Sequence, residues 1–537
     1  MTLKAARVVK EADIIIYDRL ANPGILEMAK DGCEMIYVGK QDGKHSVPQD
    51  EINEIIYQAA LKYENVVRLN EKNEIVPAGA ESYTVSPDGK IWTFKLRKDA
   101  KWSNGDPVLA KDYVNGLKRG LDPKLASEYA YMAYYIKGAE DFNTAKTTDF
   151  STVGVTAPDD YTVVYELSKP AAYFGKILIL PIFAPVNAKA LEQFKDKYAT
   201  EASNSIYNGP YTMVEWVHDN KAVLVKNENY WNKDNIKIDN LVAMMTPDFD
   251  AAVSMYQNGE MDLTKISNEK IDVFKGKPDL QVHANGRVYY FGFNVTDDIL
   301  KNIKIRKALS LAVDRNKLVS DVLRNSSFVG SGLVANGTPG TSGDFREENG
   351  NLYDQYKAED IKKLFEEGLK ELGKTPADVN LTLAIDEKGS AKKEAEYFQA
   401  QWQEKLGIKV NIESTTFKIR LEKGKNYDYQ VIRYAWGPDY ADPMTYLELL
   451  YSKSGAINIT KYNNPEYDKL IELAQVNNDN AVRMDAMKKA EKIATEEFFY
   501  SGLYYESANY AVNPKIKNVV IRAVGAPVDF YYADLSE

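Results

Sequence analysis

The spacing of apolar positions changes character near residue 70. Before it, helical and strand periods alternate. Residues 2–10 read as a short helix rich in Ala and Lys, 12–17 (ADIIIY) as a buried strand, 23–30 as a helix and 33–38 as a second strand. Ser46 and Pro48 open an amphipathic helix with apolar residues at Ile52, Ile55, Ile56 and Ala59, and a strand follows at 65–69. The order α, β, α, β, α, β predicts a parallel sheet, entered from inside a helix.

Beyond residue 70 the elements are shorter and more varied. Trp92, Phe94 and Leu96 alternate with Thr93, Lys95 and Arg97, a half-buried strand between turns at 86–89 and 104–106. Helices are expected at 110–120 and 128–139, a hairpin at 155–167, a strand pair at 209–216 and 221–227, and a helix at 251–258. The strand 288–294 (VYYFGFN) runs into a helix spanning 303–323, whose apolar Ile305, Ala308, Leu309, Leu311, Ala312 and Val313 face a core. Residues 326–343, rich in Ser and Gly, read as a connection, since they lack the Gly-Lys-Ser/Thr of a phosphate loop. Helix-to-strand units follow at 391–406 into 409–413 and onward to the strand near 432. Helices at 465–476 and 481–498 and a strand at 503–512 complete the pattern.

Composition narrows what these elements serve. The 537 residues suggest three or four domains or lobes, and 44% hydrophobic with 27% charged residues is a soluble, globular balance. A net charge of −10 argues against nucleic acid. Cys33 is the single cysteine, so no disulfide forms within the chain, and His45, His218 and His283 have no partner at metal-ligand spacing. No cofactor or metal is expected. Gly-x-Ser-x-Gly and His-Glu-x-x-His are absent, which leaves nothing to support nucleophilic or metal catalysis. There is no membrane-length apolar run and no signal-type N-terminus, so the chain as written is expected in the cytoplasm. The 37 Tyr against 18 Phe stand out, because a phenol combines an apolar face with a hydrogen-bonding tip, as binding surfaces use.

Chemistry concentrates in IRYAWGPDYADPMTY, residues 432–446. Gly437, Pro438 and Pro443 block regular helix, giving a strand that runs into an aromatic, acidic loop. Backbone groups there are not all paired in a sheet, and the Asp439 carboxylate could meet a cation such as a peptide's amino end. A surface turn with Tyr and Trp packed on the core is the simpler reading of the stretch by itself.

Two resemblances organise the whole. TLKAARVVKEADIIIYDRL and YVGKQDGKHSVPQDEIN closely resemble uroporphyrinogen-III C-methyltransferase, over residues 1–69 only. That family binds S-adenosylmethionine on a Gly- and Pro-rich loop upstream of this first helix and on a Gly-Gly-Asp-Pro loop after VVRL. Here Leu69 is followed by Asn70-Glu71-Lys72, so no cofactor is implied for this truncated fragment, although Tyr17, Asp18 and Arg19 match.

From residue 69 onward five ordered blocks resemble the oligopeptide-binding proteins of ABC importers. They are AGAESYTVSPDGKIWTFKLRKDAKWSNGDPV, NGPYTMVEWV with KNENYWN, FGFNVTDDILKNIKIRKALSLAVDR, RYAWGPDYADPMTYL and YNNPEYDKLIELA. The resemblance implies an α/β, two-lobed periplasmic-binding-protein-like fold of the large type II class. Lobe I would take residues 70–290 with a subdomain at about 70–206, lobe II 291–502, and 503–537 would return to lobe I. Crossings are expected near 289–294 and 503–505.

The implied function is capture of a short peptide between the lobes, by a monomer that serves a membrane permease, with no nucleic acid and no enzymatic step. Asp439 would meet the peptide's ammonium and Arg433 its carboxylate, with Trp436, Tyr434, Tyr440 and Asn294 framing the backbone and Tyr504 on the second crossing. Nickel, haem or a sugar as ligand stays open. The family implies the periplasm or the outer face of the cell membrane as a lipoprotein. Its first 50 or so residues are expected to have no counterpart here. The two resemblances meet at VVRL, which reads as a splice left by an assembly or recombination artefact or an internal start rather than as an evolved two-function protein. The binding protein is expected to be impaired by it, and a fragment of an S-adenosylmethionine-dependent uroporphyrinogen-III C-methyltransferase or a nonfunctional chimeric product is the alternative.

Overall fold

The computed structural model describes residues 63–535 except 128, 246, 247, 268, 269 and 388, and before them the backbone of 14–17 and 34–37. The chain divides into two compact units, Met1–Ile56 and Tyr57–Glu537. In the first, β1 (Ile14–Tyr17) and β2 (Glu34–Tyr37) pair in parallel, as the sequence predicts, with Ile14 opposite Glu34. The helices expected at 2–10, 23–30 and from 48 lie outside the described residues.

The strand expected at 65–69 forms over Val67–Leu69. β3 (Val67–Leu69) turns back at 70–74 and pairs antiparallel with β4 (Ile75–Pro77). Asn73 takes the left-handed conformation that closes the turn, and the Arg522 guanidinium donates to Asn70 O and Asn73 Oδ1, both at 2.7 Å. The residues just before are fixed as well. The Asn65 amide donates to Leu178 O and Leu180 O, Asn208 exchanges hydrogen bonds with the Glu64 backbone, and the Glu64 carboxylate is held by Tyr230 and Trp231.

β5 (Ala80–Val85), β6 (Ile91–Leu96), helix α1 (Ala110–Gly120), β7 (Val155–Asp159) and β8 (Thr162–Glu166) follow, and the strands form an antiparallel sheet in the order β5-β6-β8-β7. Trp92, Phe94 and Leu96 are buried while their neighbours in β6 are not, so the period-2 pattern sets the inner face. The helix expected at 128–139 is broken into a 3-10 turn, Ala130–Ala133, and the short helix Ala139–Asn143, with Gly138 at φ 71° between them. β9 (Tyr211–Val217), β10 (Lys221–Lys226) and β11 (Asn240–Met244) form a second antiparallel sheet around Tyr211, Met213 and Leu224.

The largest sheet has seven strands. β12 (Leu263–Lys265), β13 (Leu280–Phe293), β14 (Phe328–Val329), β15 (Asn380–Asp386), β16 (Lys409–Thr415), β17 (Val431–Trp436) and β18 (Tyr500–Val512) are ordered β12-β18-β13-β17-β15-β16, with β14 on β18. β13 and β18 pair antiparallel from Leu280↔Ala511 to Gly292↔Tyr500. They therefore run from the core containing Tyr211, Leu224 and Tyr510 to the core containing Phe291, Phe398 and Trp402. A third core joins Trp92, Tyr165 and Phe174 of the four-stranded sheet region to Tyr440, Met444 and Tyr467. The β13 ladder is interrupted by a bulge between Ala284 and Val288.

Helices α2 (Ile303–Ala312), α3 (Ala391–Leu406), α4 (Pro465–Val476) and α5 (Asn480–Glu496) cover this sheet and the third core. Asn302, Asn464 and Asp479 cap the N-termini of α2, α4 and α5 with their side chains. The single helix expected at 303–323 stops at Ala312. Extended backbone at Val313 lets the buried Arg315 guanidinium donate to Gly502 O at 2.7 Å and Ser501 Oγ at 2.8 Å, and a π-helical turn follows at Leu318–Leu323. The connection at 326–343 is tied to β18 through β14 and to Glu491, which accepts from the Leu333 and Val334 amides.

Candidate functional site

β17 lies between β13 and β15, and Gly437-Pro438 end its ladder just past the Val288↔Trp436 pair. The loop that follows is held by three anchors. Thr445 Oγ1 accepts from the Asp439 amide at 3.2 Å and from Trp436 Nε1 at 3.4 Å. The Tyr446 hydroxyl donates to Gly286 O at 2.6 Å, in the β13 bulge, and a Cβ on Gly286 would lie 2.7 Å from Pro438 Cγ. Buried Asp442 accepts from both Arg483 Nη atoms at 2.9 and 3.1 Å and from Lys176 Nζ at 3.1 Å. Burial would raise that carboxyl, but the two cations bring it down to about 2.

Asp439 has the opposite surroundings. It is half-buried, Tyr131 donates to Oδ1 at 3.4 Å, and no described Lys or Arg pairs with it. Burial pushes its carboxyl up to about 6. Nearby, the Tyr440 hydroxyl donates to Glu448 Oε1 at 2.9 Å while its ring stacks on Tyr173, 5.0 Å between centroids and 3° between planes. Burial, with Asp439 and Asp442 adding repulsion, pushes Glu448 up to about 8, so it holds a proton at neutral pH. One carboxyl is thus matched by two cations, one is neutralised by a proton, and Asp439 is left as an anion facing no cation of its own.

The residues singled out from sequence do not all gather here. Asp439, Trp436 and Tyr440 share the loop. Tyr434, also in β17, is buried, tilted on Tyr290 with the Arg420 guanidinium 4.3 Å from its ring. Arg433 makes a bidentate pair with the fully buried Glu394 of α3, Nε and Nη2 each at 2.7 Å, and Tyr504 stacks on Tyr289 with its hydroxyl in the same pair. Burial opposes the Arg433 charge, but Glu394 outweighs it and holds the guanidinium protonated well above its usual range. The pair clamps α3, β17 and β18 together, so the guanidinium that the resemblance assigned to a ligand carboxylate is engaged by a carboxylate of the protein itself.

Asn294 is also placed elsewhere. Its amide donates to Tyr427 O and Tyr429 O, and its Oδ1 accepts from the Thr296 amide and hydroxyl. It closes the end of β13 that pairs with Val431, about 17 Å along the strands from Trp436. Residues that sequence reasoning passed over include Tyr131, Glu394 and Thr445. Only Tyr131 had a visible signal, in the tyrosine-dense run YAYMAYY at 129–135.

With this geometry in hand, the comparisons are specific. The profile described as bacterial extracellular solute-binding proteins, family 5 Middle, matches residues 74–458, and that of tetrapyrrole (corrin/porphyrin) methylases matches residues 1–71. The chain is 33% identical over 508 residues to the dipeptide-binding protein DppE of Bacillus subtilis, covering 94% of this chain and 92% of that one. That span reaches into the first 69 residues, where no counterpart was expected. Among solved structures, the unliganded open form of the murein tripeptide-binding protein MppA matches with a TM-score of 0.81 at 26% identity, covering 98% of each chain. Listeria monocytogenes OppA bound to peptide matches with a TM-score of 0.65 at 31% identity, covering 98% of this chain and all of that one. Among the described residues no helix is long and apolar enough to cross a membrane, and no cluster of His, Cys, Asp and Glu is arranged to hold a metal.

Proposed function

Because this chain belongs to the bacterial extracellular solute-binding proteins of family 5, we propose that it captures short peptides and delivers them, as a monomer, to the permease of an ABC importer outside the cytoplasm. Two of the relatives above are named as dipeptide- and murein-tripeptide-binding proteins and the third is described as bound to peptide, and that shared ligand class supports the reading. The observation that carries it is Asp439. A half-buried carboxylate without a cation is costly in the empty protein and strongly favourable once an ammonium arrives, because water no longer screens the pair. Trp436, half-buried, flanks the ligand backbone, whereas Tyr440, buried between Tyr173 and Glu448, holds the loop from the inside. Arg433, Tyr434 and Tyr504 act through the interior, keeping β17 in place so that the loop leaves the sheet in one geometry.

Calorimetric titration with peptides of two to five residues, with nickel, haem and a sugar as comparators, tests the ligand class. We expect saturable peptide binding alone, and its absence at every length overturns the proposal.

The tetrapyrrole-methylase match favours a second origin for the N-terminal segment, and the parallel β1–β2 pair agrees with it. We assign that segment no catalytic role. Where the methyltransferase resemblance calls for a second glycine-rich cofactor loop, residues 70–74 form a closed turn pinned by Arg522. We propose that the segment weakens the binding protein: exchanging residues 1–65 for the corresponding segment of the DppE relative is expected to raise the melting temperature, and equal values would show that nothing was lost.

A further inference from the structure

Of the anchors that hold the Asp439 loop, the ion pair from Lys176 to Asp442 comes from a separate part of the chain. The chain enters residues 294–499 from residues 63–279 along β13 and leaves along β18. Beside the loop, the two parts also meet across a seam of side chains. The Tyr131 hydroxyl reaches Asp439 Oδ1 at 3.4 Å, the Ala172 amide donates to Gln475 O at 3.1 Å, the Tyr173 ring lies flat on Tyr440, and Lys176 Nζ donates to Asp442 Oδ2 at 3.1 Å.

Each member of that ion pair is fixed in its own part. Lys176 sits on the short helix Phe174–Ile177, whose Phe174 ring packs edge-on against Trp92 and Tyr165, with centroids 5.7 and 5.8 Å apart. Asp442 is gripped by Arg483, whose Nε donates to Ala474 O at 2.9 Å, and it also accepts from the Met444 amide at 3.1 Å. The carboxylate is therefore paired and hydrogen-bonded with or without Lys176. The ammonium, for its part, can return to water: it is a point charge on a flexible stem, and its side chain is 16% exposed where that of Asp442 is fully buried. Breaking most buried ion pairs strands a charge. This one can be made and broken without doing so.

We propose that Lys176 is a latch: its ion pair with Asp442 fastens the part carrying Tyr131 and Tyr173 onto the Asp439 loop over a bound peptide, and its release lets the peptide leave. This assignment rests on the peptide-binding reading above. Asp442 lies three residues beyond Asp439, so one loop carries both the ligand's anchor and the latch's partner, and Tyr131 meets Asp439 from the same part as Lys176. A peptide that touches both parts favours the latched arrangement, and the latch in turn slows its escape.

The test is stopped-flow kinetics with tri-alanine on the full chain, using wild type, Lys176→Met and Lys176→Arg, together with small-angle X-ray scattering of each protein without ligand. Because Arg483 stays on Asp442, Lys176→Met leaves no buried charge unpaired and should fold. It is expected to release tri-alanine about tenfold or more faster than wild type, with association no slower, and to have the larger radius of gyration. Lys176→Arg keeps the charge and should restore much of both. A wild-type release rate, a slowed association or an unchanged radius in Lys176→Met overturns the latch and leaves peptide binding in place. If tri-alanine does not bind wild type, the peptide-binding reading falls, and the radii alone decide whether Lys176 fastens the two parts.

Discussion

Replacing Asp439 by Asn should make the empty protein more stable and a worse binder. The carboxyl moves from 3.8 to about 6 because burial penalises its charge, which corresponds to at most roughly 3 kcal/mol at neutral pH. The side chain keeps some contact with solvent, so about 1–2 kcal/mol is expected. The sign follows from proton binding. Between pH 3.8 and about 6 the folded state holds this proton more tightly than the unfolded chain, so wild type loses stability as pH rises through that window and bears the full cost above it. The Asp439→Asn variant, with no carboxyl to ionise, bears none of it. Scanning calorimetry at pH 7 should therefore place the variant about 1–3 °C above wild type, with the gap closing toward pH 4. Peptide affinity of wild type should fall below about pH 6, up to roughly tenfold per pH unit, as the carboxylate is protonated. A variant that melts lower than wild type, or a gap independent of pH, would mean that Asp439 is held by the protein's own contacts and awaits nothing.

Glu394→Gln removes the partner of a buried guanidinium and is expected to cost about 3–5 kcal/mol by denaturant unfolding, whereas replacing Arg433 and Glu394 together by Met and Leu should recover most of it. A loss under about 1 kcal/mol for the single change would deny the clamp its role. Gly286→Ala puts a Cβ on a residue at φ 74° and 2.7 Å from Pro438 Cγ. It should lower stability by about 1–3 kcal/mol and weaken peptide binding by moving the loop, as melting and titration would show. S-adenosylmethionine should give no binding heat with the full chain, and micromolar binding would restore the methyltransferase reading of the N-terminal segment.

Several elements were legible because local chemistry decided them. The alternation at 91–97 fixed a strand and its inner face, Pro465 and Asn464 fixed the start of α4, and Gly437-Pro438 fixed where β17 ends. Failures came where a distant residue decided. The helix at 303–323 breaks where Arg315 reaches the Gly502 carbonyl and the Ser501 hydroxyl, nearly two hundred positions away, and β3 pairs antiparallel with β4 instead of in a parallel sheet. Arg433 looked available because its partner, Glu394, lies 39 residues earlier on a separate helix. The hydrogen bonds of Asn294 to Tyr427, Tyr429 and Thr296 were likewise hidden, because two of those partners lie more than 130 positions away. Asp439 could be found from its loop alone, but its lack of a cation is a property of the packed structure.

The most direct measurement is a four-way titration: wild type and Asp439→Asn, each with tri-alanine and with N-acetyl-tri-alanine. Anchoring of the ammonium on Asp439 predicts that acetylation costs wild type about thirtyfold or more in affinity and costs the Asn variant almost nothing. The same acetylation penalty in both proteins would place the ammonium elsewhere and contradict the account.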